Sequence, residues 1–441
     1  MRSSHSLDRI AATFDEGRLV GDAGLLLPAT LAQHLGLGEL VDRYVDLGDA
    51  PGRANAGDKL LTLVASALAG GDCIDDADAL RGGGTSAVLG HTVKAPSTLG
   101  TFLRSFKYGH VRQLDRVSRM LLARAWEMGA GPGSSPFTID VDSTICETYG
   151  LAKEGGSRTY TSVRGYHPLL AVASGTGDIL HSRLRGGNAN TGRGAANFIT
   201  ETITRVREAG ATGPLTLRAD AGFYSQAVVE AAQKRDVRFS ITLRLSSTLR
   251  DTLETIPESD WTPIPYWMEG GADVAETTYV PFARKSKTEV RLIVRRTRLT
   301  PGSQLALFAV YNYHAFITDR EGDTLELEAD HRRHAEVENA IRDLKYGVGL
   351  NHLPSGKFGA NGAWLGIEVI AHNLARWTGR IALGTGIVTT KTLRRRFFSI
   401  PARISRSARR TTVHFPTRWP WAVAFSTALL KLRTLSPPLL T

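Results

Sequence analysis

Cysteine is scarce in this sequence of 441 residues, and long apolar runs are missing. Cys73 and Cys146 are the only cysteines, and they form no CxxC pair, which excludes a structural zinc site built on thiolates. So little cysteine fits a reducing cytoplasm, where we expect the protein to reside. No stretch reaches the roughly 18 uninterrupted apolar residues that a membrane span needs. Because no apolar segment follows Arg2 and His5, we expect neither a secretion signal nor a membrane partner.

Acidic residues are absent from the last part of the chain. The segment from Val369 to the C-terminus holds thirteen Lys or Arg but no Asp or Glu. Residues 1–368 carry 41 basic and 43 acidic residues, so the whole positive excess behind the net charge of +11 lies in this last segment. A block of one sign is typical of segments that bind a polyanion, most commonly nucleic acid. The alternative is a basic tail that only aids solubility.

The hydrophobic pattern changes along the chain and predicts a mixed α/β fold. Helical spacing dominates residues 25–130, and the Gly-rich run at residues 129–133 marks a boundary. Strands and helices then alternate, which predicts a mixed sheet. We predict five segments: a helical N-terminal region (1–130), the first part of an α/β core (131–245), a β-rich insertion (246–324), the last core helices (325–380) and a basic C-terminal tail (381–441).

Candidate catalytic carboxylates lie at two predicted strands. Asp140 and Asp142 alternate with apolar residues, so both side chains project from one face, about 7 Å apart along the strand. Asp220 ends the strand Leu215–Ala219. Carboxylates gathered at strand ends provide the oxygen ligands that Mg²⁺ prefers. The alternative for each residue is an acid that merely favours a turn.

A stripe of polar residues marks a helix predicted from about Leu325 to Tyr346. His331, His334, Glu338 and Lys345 are spaced by three, four and seven residues, which predicts that they share one helical face. Glu338 could bind a metal, and Lys345 could bind a phosphate. Two alternatives stay open: a solvated charged face, and a metal site formed by two histidines and one carboxylate, His331, His334 and Glu338.

Four segments in order resemble one enzyme family. They are Ile139–Thr144, Leu184–Asn188, Arg218–Phe223 and Val337–Lys345. With 78 positions from Asp142 to Asp220 and 118 from there to Glu338, they resemble the insertion-sequence transposases of the DDE domain, group 1. Weaker likenesses at Asp75–Arg81, Ser97–Leu99, Ala371–Leu374 and Trp419–Trp421 extend the resemblance over nearly the whole chain.

The resemblance implies an RNase H-like catalytic core, interrupted by the β-rich insertion and preceded by a DNA-binding helical region. It implies that Asp142, Asp220 and Glu338 are the catalytic acids and bind two Mg²⁺ ions, for which Mn²⁺ can substitute. Asp142 is favoured over Asp140 because it directly precedes Ser143-Thr144, although Asp140 stays a further candidate metal ligand. The implied partner is double-stranded DNA with terminal inverted repeats, bound by a homodimer in the nucleoid. The alternative is a regulator that binds these repeats but has lost catalysis.

The DNA contacts that we predict lie in four places: the last catalytic helix, the insertion, the basic tail and Asn188. In the last catalytic helix, His331 and His334 occupy the positions of a Tyr and an Arg in relatives. The phosphate contact that this Arg makes in relatives is therefore not assured here, and Arg332, Arg333 or Arg342 could replace it. Trp261 or Trp267 in the insertion could stack on an unpaired base or simply fill a small β core. The full set of candidate DNA-binding residues is Lys345, His334, Arg342, Arg333, Asn188, Arg394, Arg395, Arg396, Arg409, Arg410, Trp261 and Trp267.

Overall fold

The computed structural model describes residues 7, 10–265, 271–283, 288–298 and 311–436. The chain begins with a short strand and six helices that correspond to the predicted helical region. These elements are β1 (Leu19–Val20), α1 (Leu26–His34), α2 (Leu37–Tyr44), α3 (Ala56–Ala69), α4 (Thr85–Leu89), α5 (Pro96–Arg104) and α6 (Tyr108–Ala125). None of the helices in the described ranges is long and apolar enough to cross a membrane.

Strands and helices alternate in the central part of the chain, as the pattern predicts. The elements are β2 (Phe137–Ser143), β3 (Cys146–Glu147), β4 (Ser157–Arg158), β5 (Arg164–Tyr166), β6 (Leu169–Ala173), β7 (Ile179–Arg183), α7 (Ala195–Glu208), β8 (Leu215–Ala219), α8 (Gln226–Gln233), β9 (Val237–Leu243) and α9 (Ser247–Glu254). Ile139 and Val141 are fully buried on one face of β2, which accounts for the two-residue period in the sequence.

Residues 262–318 supply four more strands within the described ranges, and helices follow. The strands are β10 (Thr262–Pro263), β11 (Ala272–Tyr279), β12 (Val290–Arg298) and β13 (Tyr311–Thr318), and the helices are α10 (Thr324–Arg332), α11 (Glu336–Gly347) and α12 (Phe358–Trp377). The last elements are α13 (Thr390–Leu393), β14 (Ala402–Ser407), β15 (Arg410–His414) and α14 (Ala422–Thr434).

One large mixed sheet organises the molecule. Its nine described strands run in the order β10-β11-β12-β13-β9-β8-β2-β6-β7. β8 is parallel to both of its neighbours, β2 and β9, and every other pairing in this sheet is antiparallel. The strands of the predicted insertion therefore extend the central sheet from its β9 edge. Buried residues of the N-terminal helices and of the sheet belong to one continuous apolar core, in which α12 packs on α3, α5 and α6.

The helix predicted from Leu325 to Tyr346 is two helices. α10 ends at Arg332, a single 3-10 turn covers Arg333–Ala335, and α11 begins at Glu336. A tighter turn changes the rotation between residues on either side of it. His331 therefore lies in α10, His334 lies in the turn, and Glu338 and Lys345 lie in α11.

The segment predicted as a basic tail is folded onto the rest of the molecule. β14 pairs with β1 near the other end of the chain and with β15, and α14 packs on α1. Phe397, Phe398, Phe425 and Leu432 are buried. The segment is therefore part of the apolar core, and its positive charges are placed by defined structure.

Candidate catalytic site

Asp142 and Asp220 lie side by side at the carboxyl ends of adjacent parallel strands. β2 and β8 pair in register from Phe137 opposite Leu215 to Val141 opposite Ala219, so the next residues along the two strands are the two acids. The Asp142 carboxylate accepts a hydrogen bond from the amide of Ser143 at 2.6 Å, and that of Asp220 accepts one from the amide of Gly222 at 2.9 Å. Both carboxylates are half-buried.

Glu338 reaches the same place from α11, which packs on β2. Val337, Ala340, Ile341 and Leu344 form the buried face of this helix, whereas Glu338 is exposed. The pKa of Asp142 is raised to about 6, mainly by burial and to a smaller extent by the nearby negative charges of Asp220 and Glu338. Asp142 therefore lies close enough to Asp220 and Glu338 for their charges to act on it, and the role of the three acids as metal ligands stays a prediction.

The three carboxylates have no cationic partner in the described part of the chain. Neither Asp142, Asp220 nor Glu338 forms an ion pair there. Three acids that repel one another and are not neutralised by Lys, Arg or His form the donor set that a hard divalent cation binds. The chemistry of the three carboxylates therefore fits a divalent metal, although their oxygens do not all lie within 4.8 Å of one another in this structure.

A cleft of about 870 Å³ opens over Asp142 and Asp220. Its other walls come from the loop that follows β7, from the turn after β8, from the segment after β9 and from β11 of the insertion. The lining residues with polar or aromatic side chains are Ser143, Tyr160, Asn190, Thr191, Tyr224, Arg244, Ser246 and Tyr279. Three tyrosines thus line the cleft together with Asp142 and Asp220.

Asp140 has a different environment from Asp142. It is 1% exposed and lies directly opposite Arg218 on β8. The Arg218 guanidinium donates to both Asp140 oxygens, at 2.8 and 2.9 Å, and Nδ1 of His334 lies 3.0 Å from one of them. The same guanidinium also contacts Asp330 of α10. Because its oxygens are occupied by cationic or polar side chains, Asp140 does not present the free carboxylate that metal binding requires.

His331 is enclosed between the sheet and α10. Its Nδ1 lies 2.7 Å from the Ser240 hydroxyl, its Nε2 lies 2.9 Å from the Thr242 hydroxyl, and its ring stacks on Phe316 at 4.0 Å. Burial holds the pKa of His331 well below its usual value. Both ring nitrogens are thus occupied, and the alternative of a metal site built from His331, His334 and Glu338 was wrong.

Lys345 ties α11 to the segment that follows Asp142. Its ammonium donates to the carbonyl of Ile145 at 2.8 Å and lies 3.5 Å from the Thr144 hydroxyl. Arg333 and Arg342 are exposed on the same part of the chain, Arg333 in an ion pair with Glu336 at 3.0 Å. None of these contacts tests phosphate binding. The phosphate contacts predicted for Lys345, Arg333, Arg342 and His334 therefore stay predictions.

A buried histidine that the sequence did not single out supports the site. His167 directs Nδ1 at the Ala189 carbonyl, 2.7 Å away, and Nε2 at the Ser143 hydroxyl, 2.9 Å away. A carbonyl only accepts, so Nδ1 carries the proton and Nε2 accepts from Ser143. Burial lowers the pKa of His167, which favours this neutral form. The residue after Asp142 is thereby joined to the loop that walls the cleft.

Arg185 holds the same loop from its other side. Its guanidinium donates to the carbonyls of His167, Asn190 and Arg193, at 3.0, 2.8 and 3.1 Å. Burial lowers the pKa of Arg185 to about 10, since carbonyls rather than a carboxylate surround it. The loop reaches the turn after Asp220, where a Cβ on Gly222 would lie 2.9 Å from the Thr191 Cβ. Asn188, also in this loop, is exposed.

The tryptophan and tail residues predicted to bind DNA lie in varied surroundings. Trp261 packs between Tyr313 and the Arg296 guanidinium, which is 4.2 Å from its ring centre, and does not line the cleft; Trp267 lies outside the described residues. Arg394 donates to the carbonyls of Leu68 and Ala67 at 2.7 and 2.9 Å and so caps α3. By contrast, Arg395, Arg396, Arg409 and Arg410 are exposed.

A second acidic cluster lies away from this cleft. Asp72, Cys73 and Asp76 are the one group of at least three potential metal ligands with mutually close ligand atoms in the described part of the chain. The Asp76 carboxylate accepts from the amides of Asp72 and Cys73, at 2.9 and 3.1 Å. These bonds form the turn that precedes a 3-10 helix, so the cluster is explained by local structure.

Comparison with known proteins agrees with the geometry. Residues 3–437 match the sequence model of the transposase DDE domain, group 1. A solved structure similar to this chain is a piggyBac transposase in a synaptic complex with hairpin DNA, determined by cryo-electron microscopy. The identity is 12%, the TM-score is 0.47, and the match covers 86% of this chain and 79% of that one. No curated protein matches the chain.

Proposed function

Since the chain belongs to the transposase DDE domain group 1 family, we propose that it cuts the DNA strands at the ends of an insertion sequence and joins them to a target. The observation that carries this proposal is the group formed by Asp142, Asp220 and Glu338. These acids lie on two adjacent strands and one helix, and each lacks a cationic partner within the described ranges. The transfer of phosphodiesters by metal-dependent enzymes needs such a group.

The topology around the acids supports an RNase H-like core. Three antiparallel strands, β7, β6 and β2, continue into the parallel strands β8 and β9. Asp142 ends the central strand of these five, and Asp220 follows its parallel neighbour. β10 to β13 then extend the sheet before the chain returns through α10 and α11 with Glu338. The insertion thus lies between the second and the third acid.

We assign the binding of two Mg²⁺ or Mn²⁺ ions to Asp142, Asp220 and Glu338, without Asp140. When bound, such ions lower the pKa of a water nucleophile and stabilise the leaving oxygen of a phosphodiester. The chain contributes the positions of the ligands. Ser143 and Gly222 orient the two aspartates through their amides, and Lys345 holds α11 against the end of β2.

The substrate that we propose is double-stranded DNA with terminal inverted repeats, bound by a homodimer. The cleft beside the acids has Arg244, Asn190 and three tyrosines on its walls. Side chains of these types contact phosphates and stack on bases. The alternative function, a regulator that binds the repeats without cleaving them, has no observation in its favour, because the three acids are present together.

Cleavage of a labelled DNA end by the purified protein tests the function. With Mg²⁺ or Mn²⁺, we expect Asp142→Asn, Asp220→Asn and Glu338→Gln each to reduce cleavage by at least a thousandfold, on the order of 4 kcal/mol, while DNA binding persists. The matched control is Glu336→Gln, an exposed acid two residues before Glu338 on the same helix, and it should cleave normally. Normal cleavage by Asp220→Asn would contradict the proposal. DNA binding without cleavage by the wild type would favour the regulator.

A further inference from the structure

The antiparallel pair β14 and β15 forms a ribbon, residues 402–414, that has two unlike faces. Opposed residues of an antiparallel pair project from the same side. Ile404 is paired with Val413, and with Ala402 this face packs on Val20 and Val88. We call residues 402–414 the C-terminal ribbon, and its other side the outer face.

The outer face carries only polar hydrogen-bonding side chains, two of them permanently charged. Its cross-strand pairs are Arg403 with His414, Ser405 with Thr412, and Ser407 with Arg410. All six are exposed except Thr412, which is half-buried. The Ser405 hydroxyl lies 2.8 Å from Nε2 of His414, so these pairs form a continuous polar surface. Near the tip, Arg406 projects from the opposite side, beyond Ile404, and Arg409 lies in the turn between the two strands.

Almost nothing neutralises these charges. No carboxylate follows Glu368 in the sequence. Among the described residues, Arg406, Arg409 and Arg410 form no ion pair, and Arg403 approaches Glu16 only at 3.5 Å while Glu16 binds Arg18 at 2.8 Å. Like charges gathered on one small element repel each other, and this cost to stability is offset when an anion binds.

Other basic residues of the same C-terminal segment have structural partners. Arg376 and Arg380 bind the buried carboxylates of Asp343 and Asp178, and Arg394 binds carbonyls of α3. The segment therefore contains arginines that hold the fold and, besides the exposed Arg395 and Arg396, arginines of the C-terminal ribbon that face solvent. The arginines of the C-terminal ribbon therefore carry positive charges that do not hold the fold together.

We propose that the outer face of the C-terminal ribbon binds the phosphate backbone of double-stranded DNA, separately from the catalytic cleft. This proposal rests on the transposase function proposed above. A two-stranded ribbon fits the major groove of B-DNA, which is about 12 Å wide. Guanidinium and hydroxyl groups are the usual donors to phosphate oxygens. Contacts of this kind strengthen binding to every sequence and place the DNA on the protein.

The test is the salt dependence of binding to a DNA duplex. Arg403→Gln/Arg410→Gln removes two charges from the outer face. We expect it to reduce the slope of log affinity against log salt concentration by about 1.8, since each phosphate contact contributes about 0.9. Arg403→Lys/Arg410→Lys keeps both charges and should keep the slope of the wild type. Lys234→Gln/Arg235→Gln, at the exposed end of α8, removes two charges elsewhere and should also keep it.

The outcomes separate this proposal from the function on which it rests. If the wild type binds and cleaves DNA while the Gln variant keeps the slope of the wild type, only the proposed role of the ribbon is overturned. If the Gln variant loses as much affinity for single-stranded DNA as for the duplex, the assignment to duplex DNA is overturned. A wild type that binds no DNA would overturn both proposals. An unchanged melting temperature of the Gln variant shows that the fold is intact.

Discussion

At the scale of single residues, Asp140 and Asp142 show how two acids on one strand acquire different roles. Asp140 lies two residues before Asp142 on β2, opposite Arg218, and forms a fully buried ion pair with it. Asp142 lies where β2 ends, beside the cleft and two further carboxylates. The sequence motif contains both acids, but only the register between β2 and β8 shows which one is already neutralised.

We predict opposite effects of the two Asp→Asn substitutions on stability. Asp140→Asn removes the fully buried counter-charge of Arg218 and leaves only the half-exposed Asp330 beside the guanidinium. Breaking a buried pair in this way costs about 3–5 kcal/mol of unfolding free energy. Asp142→Asn removes a carboxylate whose pKa is raised to about 6. An unfolded Asp loses its proton near pH 3.9, so the wild type loses stability as the pH rises from about 4 to 6, and Asp142→Asn should not lose it.

Urea unfolding of both variants at pH 4 and pH 7, without metal, measures these effects. At pH 7 we expect Asp140→Asn to unfold at lower urea concentration than the wild type and Asp142→Asn to unfold at the same or higher concentration. Equal destabilisation by the two substitutions would show that the difference in their surroundings has no energetic consequence.

At the scale of elements, side-chain hydrogen bonds fix the position of the loop between β7 and α7 beside the site. His167 joins Ala189 of the loop to Ser143, and Arg185 binds the loop carbonyls of Asn190 and Arg193. Thr191 and Asn190 therefore stand at fixed positions beside Asp142 and Asp220. Groups that orient metal ligands in this indirect way typically contribute 10–100-fold to metal affinity or activity.

We predict that His167→Ala weakens Mn²⁺ binding, followed by electron paramagnetic resonance, by about 10–100-fold. Two conservative variants divide the role of the ring. Gln can accept from the Ser143 hydroxyl, whereas Asn keeps a donor near the Ala189 carbonyl. If the bond to Ser143 matters most, His167→Gln should bind Mn²⁺ better than His167→Asn. Mn²⁺ affinity unchanged in His167→Ala would show that His167 only fills space.

Long elements and the order of the motifs were predictable from sequence, but contacts between elements were not. The alternation of Ile139 and Val141 with polar residues located β2, and apolar spacing located α7 and α12. The break between α10 and α11 leaves no mark in the spacing, because no Gly or Pro interrupts residues 325–346. It coincides with His331 and His334 turning towards Thr242 and Asp140, which are distant in sequence. His167 and Arg185 went unassigned for the same reason.

At the scale of the whole molecule, the C-terminal segment cannot be treated as a removable tail. Phe397, Phe398, Phe425 and Leu432 are buried, and each buried apolar side chain of this size contributes about 1.5–3 kcal/mol. Four of them therefore contribute an amount comparable to the total stability of a typical domain, about 5–15 kcal/mol. The composition predicted the charge of the segment correctly but gave no sign that it is packed.

We accordingly predict that deletion of residues 391–441 abolishes cooperative unfolding in addition to DNA binding. Circular dichroism during heating should show a broad transition or none. The comparison is the full-length Arg403→Gln/Arg410→Gln variant, which should melt as sharply as the wild type, because both side chains are exposed. A truncated protein with a sharp transition near that of the wild type would show that the buried aromatic residues of the segment are dispensable.

The pairing of β1 with β14 also bears on the order in which the protein is made. Leu19 and Val20 leave the ribosome early, but their partners Arg403 and Ala402 follow more than 380 residues later. Domains generally begin to fold during synthesis, so the large sheet can assemble before β14 is available to pair with β1. A message cut short before β14 would then yield a chain that has Asp142, Asp220 and Glu338 but lacks the strand that pairs with β1, so that its N-terminal region would be a target for proteolysis.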